Sequence, residues 1–163
     1  MGITTSLDMA AVDPNGPAAK TNWPKLLADV LPYCDFFVPS LDEILYMLGS
    51  GFTDAKSAAN ECFRLGAKTV LIKCGTDGMY YKSATEEGMQ PCYSVPFVAS
   101  GTGCGDTSIA AFLYAMLCGK TVSESAAYAA AEGACCVMTY DAFSGIRDLD
   151  GLGQIIRDGK VKV

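Results

Sequence analysis

The stretch "ASGTGCGDTSIAAFL", residues 99–113, places glycines at 101, 103 and 105, follows them with Asp106 and passes at once into an apolar run. A glycine-rich turn that opens a helix makes an anion site, because amides at a helix N-terminus lack intrahelical acceptors and the helix dipole favours negative charge there. Gly101, Gly103 and Gly105 are expected to reach positive-φ conformations and let the backbone approach a ligand with no Cβ in the way. Two common phosphate loops do not fit. GxxxxGK[ST] needs a lysine after the last glycine, where this chain has Asp106, and the dinucleotide fingerprint GxGxxG is spaced more widely than the GxGxG here. Asp106 narrows the chemistry. A carboxylate beside an anion hole repels a resting phosphate, but it suits a base that takes a proton from a hydroxyl while the amides stabilise the group in transfer. Phosphoryl transfer to an alcohol requires that arrangement. Taken alone, the same pattern reads more readily as a tight turn whose aspartate caps a helix.

Composition bounds the rest. The chain has 163 residues, half of them apolar, enough for one compact domain with a core. Twelve Lys and Arg against 18 Asp and Glu give a net charge of -6, with no basic block to neutralise a run of phosphates, so nucleic acid is not an expected partner. Eight cysteines show no CxxC spacing and histidine is absent, which reads as reduced thiols serving as small core residues in a cytoplasmic protein. No apolar run nears the ~20 residues of a membrane span, and no basic-then-apolar leader opens the chain; no membrane partner is expected.

Strand-like and helix-like segments alternate, which points to an α/β protein with a parallel or mixed sheet. "GITTSLDMA" (2–10) reads as a strand ending at Asp8, followed by the Pro/Gly/Asn-rich loop "AVDPNGPAAKTN". Asn22 caps a helix through "WPKLLADVLPYC", with Pro24 tolerated in its first turn. "DFFVP" is a short buried strand. Ser40 with Glu43 has the spacing of a capping box ahead of "ILYML", and Gly49 and Gly51 close that helix. Thr53 or Asp54 caps the next helix, which Gly66 stops. "AKTVLIKCG" is a strand, and "GMYYKS" beyond the Gly75–Gly78 turn is its hairpin partner. A further strand is expected in "CYSVPFVA" (92–99). Two Ala-rich helices follow, "DTSIAAFLYAMLCGK" and "VSESAAYAAAEGACCVMTY", and the tail holds a short last helix.

Three motifs in order carry a resemblance. "GTGCGDTSIAAFL" resembles the C-terminal signature of the PfkB/ribokinase-like carbohydrate kinases, D-T-x-G-A-G-D ahead of an AGF-like helix. Gly103, Gly105, Asp106, Ala110, Ala111 and Phe112 match it. Ser100 and Gly101 stand where the family usually has Asp and Thr, and Cys104 where it has a small Ala. "VPSLDEI" (38–44) resembles the family's N-x-x-E motif, with Glu43 retained and Ser40 in place of Asn. "IKCGTDG" (72–78) resembles the K-x-G-x-x-G turn.

The resemblance covers nearly the whole chain. It implies a three-layer α/β/α ribokinase-like fold, represented by its C-terminal nucleotide-binding portion. Residues 1–163 would then form a single partial domain without the N-terminal half and lid. The implied activity is ATP-dependent phosphorylation of a sugar or sugar-like alcohol, with ATP and Mg²⁺ as cofactors. Asp106 is then the general base, and the amides of Gly103, Cys104 and Gly105 hold the transferring phosphoryl group. Glu43 acts on Mg²⁺ through water, a role compatible with its place in a capping box. Lys73, Gly75, Thr76 and Gly78 line the nucleotide. The aspartate that Ser100 replaces helps form a monovalent-cation site in some members, and an adenine-side Asn is absent near Ala131. A chain that starts in mid-fold would leave a sheet edge open, so self-association or a missing N-terminal half is the expected partner beside sugar and ATP. The rival reading is a catalytically incompetent nucleotide-binding or partner-binding module. An NAD-binding domain would need an acid after a strand about 20 residues beyond the glycines, where Glu124 and Glu132 instead lie in Ala-rich helical sequence.

Overall fold

Two-residue and five-residue strands are all that the first part of the chain needs to align its helices. In the computed structural model, which describes residues 2–161, β1 (Ser6–Leu7), β2 (Phe36–Phe37) and β3 (Thr69–Lys73) run parallel, with Ser6 opposite Phe36 and Phe36 opposite Thr69. Parallel strands need crossovers. Helix α1 (Trp23–Val30) connects β1 to β2, while α2 (Leu41–Leu48) and α3 (Ala55–Arg64) connect β2 to β3. Each helix starts where its cap dictates: the side chains of Asn22, Ser40 and Asp54 accept from the amides of Lys25, Glu43 and Ser57. Beyond β3 the sheet continues with β4 (Met79–Lys82) and β5 (Glu87–Gln90), in the order β1-β2-β3-β4-β5.

The chain divides into two compact units. One runs to Gly75 and takes up Tyr80–Glu87; the other consists of Thr76–Met79 and the chain from Gly88 onward. In the first, Phe37, Val70 and Ile72 from the strands close against Ile44, Met47, Ala58, Ala59 and Cys62 from α2 and α3. In the second, α4 (Cys104–Leu117), α5 (Val122–Cys136) and α6 (Leu149–Asp158) build a core around Tyr93, Ala111, Ala130, Ala131, Ala134, Cys135 and Leu152. Small residues let α4 and α5 approach closely. A Cβ on Gly133 would stand 2.9 Å from Ser108 Oγ.

The strand expected at 92–99 does not form. Pro96 removes a ladder donor, and Tyr93 makes only an isolated antiparallel bridge with Val161. The last strand lies earlier, at Glu87–Gln90, in a polar stretch whose residues alternate between exposed and half-buried. A 3-10 turn at Pro17–Lys20 interrupts the expected loop. All eight cysteines are free thiols; Cys34, Cys62, Cys135 and Cys136 are buried and Cys118 is exposed. Among the described residues no helix is long and apolar enough to cross a membrane.

Candidate active site

The glycine loop belongs to the second unit. Gly103 is the N-cap of α4 with φ +79°, a left-handed conformation, and no side chain caps the helix. Space demands glycine here as well, because a Cβ would overlap that of Ala142. Gly101 and Gly105 do not have positive φ, contrary to expectation: Gly105 has already joined α4, so only one left-handed residue is needed to turn the chain. The Gly103 carbonyl accepts from Thr107 N at 2.9 Å and Thr107 Oγ1 at 3.1 Å, which ties it inward. The amides of the first turn have no intrahelical acceptor and stay available to an anion. The Cys104 amide turns back to Gly101 O over 3.3 Å.

Several contacts that no local pattern announces hold this loop in place. Val137 O accepts from the amides of Ala99 at 2.7 Å and Ser100 at 3.2 Å, and Cys136 Sγ donates to Thr102 O at 3.5 Å. Ala142 is presented to Gly103 by a turn around Asp141, whose carboxylate accepts from Phe143 N at 2.8 Å, Ser144 N at 2.7 Å and Ser144 Oγ at 2.7 Å. These bonds hold the Asp141 carboxyl below the usual range, the Ser144 amide contributing most. The Cys104 thiol is pushed up to about 12 by burial and then by its hydrogen bond with Cys136. It stays protonated and serves packing rather than attack.

Asp106 lies exposed in the first turn of α4. Gly103, not Asp106, is the cap, which disposes of the aspartate-cap reading. Its carboxylate borders a cavity of about 440 Å³ walled by α4, α5 and the 142–152 segment. At the bottom lies Glu132, 2 % exposed; its Oε2 accepts from Arg147 N at 3.2 Å, and its Oε1 has no partner among the described residues. Burial raises the Glu132 carboxyl above the ordinary range.

Of the remaining candidates, Glu43, Lys73 and Gly75 belong to the first unit, and Thr76 and Gly78 to the second. Ser40 N donates to Glu43 Oε2 at 2.7 Å and Glu43 N to Ser40 Oγ at 3.4 Å, the two halves of the capping box. Oε1 of Glu43 is outside any hydrogen bond among the described residues. One free carboxylate oxygen suits a hard cation that keeps its waters and takes its other ligands from a nucleotide; among the described residues no cluster of three acidic, Cys or His groups would hold a metal unaided. Lys73 bridges to Ser40, and its ammonium pairs with Asp8 at 2.7 Å, an acid that sequence reasoning placed only at a strand end. After it, Gly75 (φ +58°) and Gly78 (φ +109°) bracket the turn that carries exposed Thr76, and a Cβ on Gly78 would overlap Gln90 O.

The profile of the pfkB family carbohydrate kinases matches residues 4–148, nearly the whole chain. The chain belongs to the pfkB family. A sugar kinase of Archaeoglobus fulgidus is 28 % identical over 144 residues, 88 % of this chain and 56 % of its own length. The structure of Arabidopsis thaliana ribokinase complexed with ribose and ATP superposes with a TM-score of 0.78 at 27 % identity, covering 96 % of this chain and 48 % of that one. A ribokinase II from E. coli, in complex with ATP and Mg²⁺, gives 0.76 at 27 % identity over 96 % and 49 %. The fold is therefore the mixed α/β ribokinase-like fold of the pfkB family, and the chain spans about half the length of the relatives it matches.

Proposed function

We propose that this chain is the nucleotide-binding portion, a single partial domain, of a kinase that transfers phosphate from ATP to a hydroxyl of a sugar or sugar-like alcohol. The observation that carries the reading is one turn of helix: Asp106, exposed and outside the cap, shares the first turn of α4 with backbone amides that have no acceptor within the helix, the Cys104 amide reaching only back to Gly101 O. In this reading Asp106 takes the proton from the acceptor hydroxyl, and the amides of Gly103, Cys104 and Gly105 meet the charge on the transferring group. The Cys104 amide exchanges its 3.3 Å bond to Gly101 O for the phosphoryl oxygen. Lys73, Gly75, Thr76 and Gly78 line the nucleotide. Mg²⁺, bound with the nucleotide and reached by Glu43 through water, supplies charge neutralisation on the phosphates. The relatives support the class of ligands, since ribose with ATP and ATP with Mg²⁺ are bound by two of them.

A second reading, nucleotide or partner binding without turnover, draws on the half-length span. ADP release from ATP and Mg²⁺ over a panel of sugars that includes ribose separates the two. Sugar-dependent release is expected, with Asp106→Asn slower by about 10²- to 10⁴-fold and ATP affinity unchanged. Nucleotide binding without sugar-dependent release selects the second reading, and an Asp106→Asn variant as active as the parent sinks the first.

A further inference from the structure

Strand order sets one ion pair apart from the others. Asp8 follows β1 and Lys73 ends β3, with β2 between them, yet the Lys73 ammonium donates to Asp8 Oδ1 at 2.7 Å. The lysine arm therefore reaches past the middle strand. Its side chain is 14 % exposed, where those of the paired Lys25 and Lys68 are 71 % and 67 % exposed, so water screens its charge far less. Lys73 N donates to Pro39 O at 2.9 Å, and Lys73 bridges to Ser40, whose amide holds Glu43 Oε2 at 2.7 Å. Two carboxylates and one ammonium are thus tied to the C-terminal ends of three neighbouring strands, the end at which parallel sheets take their ligands.

We propose that Asp8 is a specificity-determining residue: by balancing the charge of Lys73 it makes this strand-end site accept a nucleoside triphosphate as its Mg²⁺ complex and discriminate against the metal-free form. The inference rests on the nucleotide-lining role given to Lys73 above. A metal-free triphosphate is the more negative ligand. It gains little from a lysine whose charge is already matched, and the Glu43 carboxylate repels it. With Mg²⁺ bound, the phosphates bring less charge, and the free oxygen of Glu43 faces a cation through water. Asp8 acts here through Lys73 and not as a metal ligand, since its Oδ1 is taken by the ammonium and no cluster of three metal-binding groups occurs among the described residues.

Isothermal titration of ATP into this chain, once with Mg²⁺ and once with EDTA, tests it. The parent is expected to bind the Mg²⁺ complex at least about tenfold more tightly than metal-free ATP. Asp8→Asn keeps an acceptor for Lys73 but removes the charge. Metal-free ATP should then bind about tenfold more tightly than to the parent, with affinity for the Mg²⁺ complex changed less than about threefold. Lys73→Met leaves Asp8 unmatched and should move the preference the other way, metal-free ATP binding more weakly still. A pair that only staples β1 to β3 behaves differently: Asp8→Asn would lower the melting temperature and weaken both forms alike, and that result overturns the proposal. A parent that binds both forms, with a ratio that neither variant moves, overturns this inference alone. A parent that binds neither form overturns the nucleotide-binding reading of the chain and this inference with it.

Discussion

Gly103 and Ala142 touch so closely that neither leaves room for one more carbon on Gly103. The contact ties the start of α4 to the segment after α5, and the anion-binding turn takes its shape from a residue 39 positions away.

Substitution at the two glycines of this turn is expected to diverge. Gly103→Ala meets both a left-handed backbone and the overlap with Ala142, and should cost about 2–4 kcal/mol. Gly101→Ala has open space and no positive φ. It should be neutral, or stabilising by about 0.5 kcal/mol. Chemical denaturation of the two variants gives the comparison.

The two roles of Glu43 can be pulled apart. Glutamine can still accept from the Ser40 amide, so Glu43→Gln should shift unfolding free energy by less than about 0.5 kcal/mol while weakening Mg²⁺-dependent ATP binding. Ser40→Ala, which removes the cap itself, should cost about 1 kcal/mol and leave the Mg²⁺ dependence intact. Isothermal titration with and without Mg²⁺, paired with thermal unfolding, reads both.

Acid should loosen the loop that braces Gly103. The Asp141 carboxyl is held below its ordinary value of 3.8, so its contribution is complete above that value and is lost as pH falls through the lower one. Amide exchange at Phe143 and Ser144 is expected to accelerate in that range, and Asp141→Asn should abolish the acid transition.

Glu132 has the opposite sign. Burial raises its carboxyl above 4.5, so the folded chain keeps a proton that the unfolded chain has released. Stability is expected to fall as pH rises from about 4.5 through the raised value, and then to level off. In Glu132→Gln that slope should vanish, as unfolding free energies measured across pH 4–8 would show.

Local chemistry made much of this legible in advance. Asn22, Ser40 and Asp54 act as caps through bonds three residues long, and the GxGxGD turn announces its helix within a few positions. What escaped depends on partners distant in sequence. Cys136 reaches the carbonyl of Thr102 and Ala142 confines Gly103, while Glu132 is buried by packing between helices; none leaves a mark in its own neighbourhood. The strand expected at 92–99 failed because an apolar run broken by a proline need not join a ladder: Tyr93 alone is buried, while Phe97 and Val98 are 58 % and 68 % exposed. Gly101 and Gly105 were credited with a freedom that one residue, Gly103, already supplies.

Cys118, the exposed thiol among eight, follows Leu117 at the C-terminal end of α4. A maleimide dye attached there would sit beside exposed Leu117, so its emission could register, in real time and without an activity assay, any change in the water around that end of the helix.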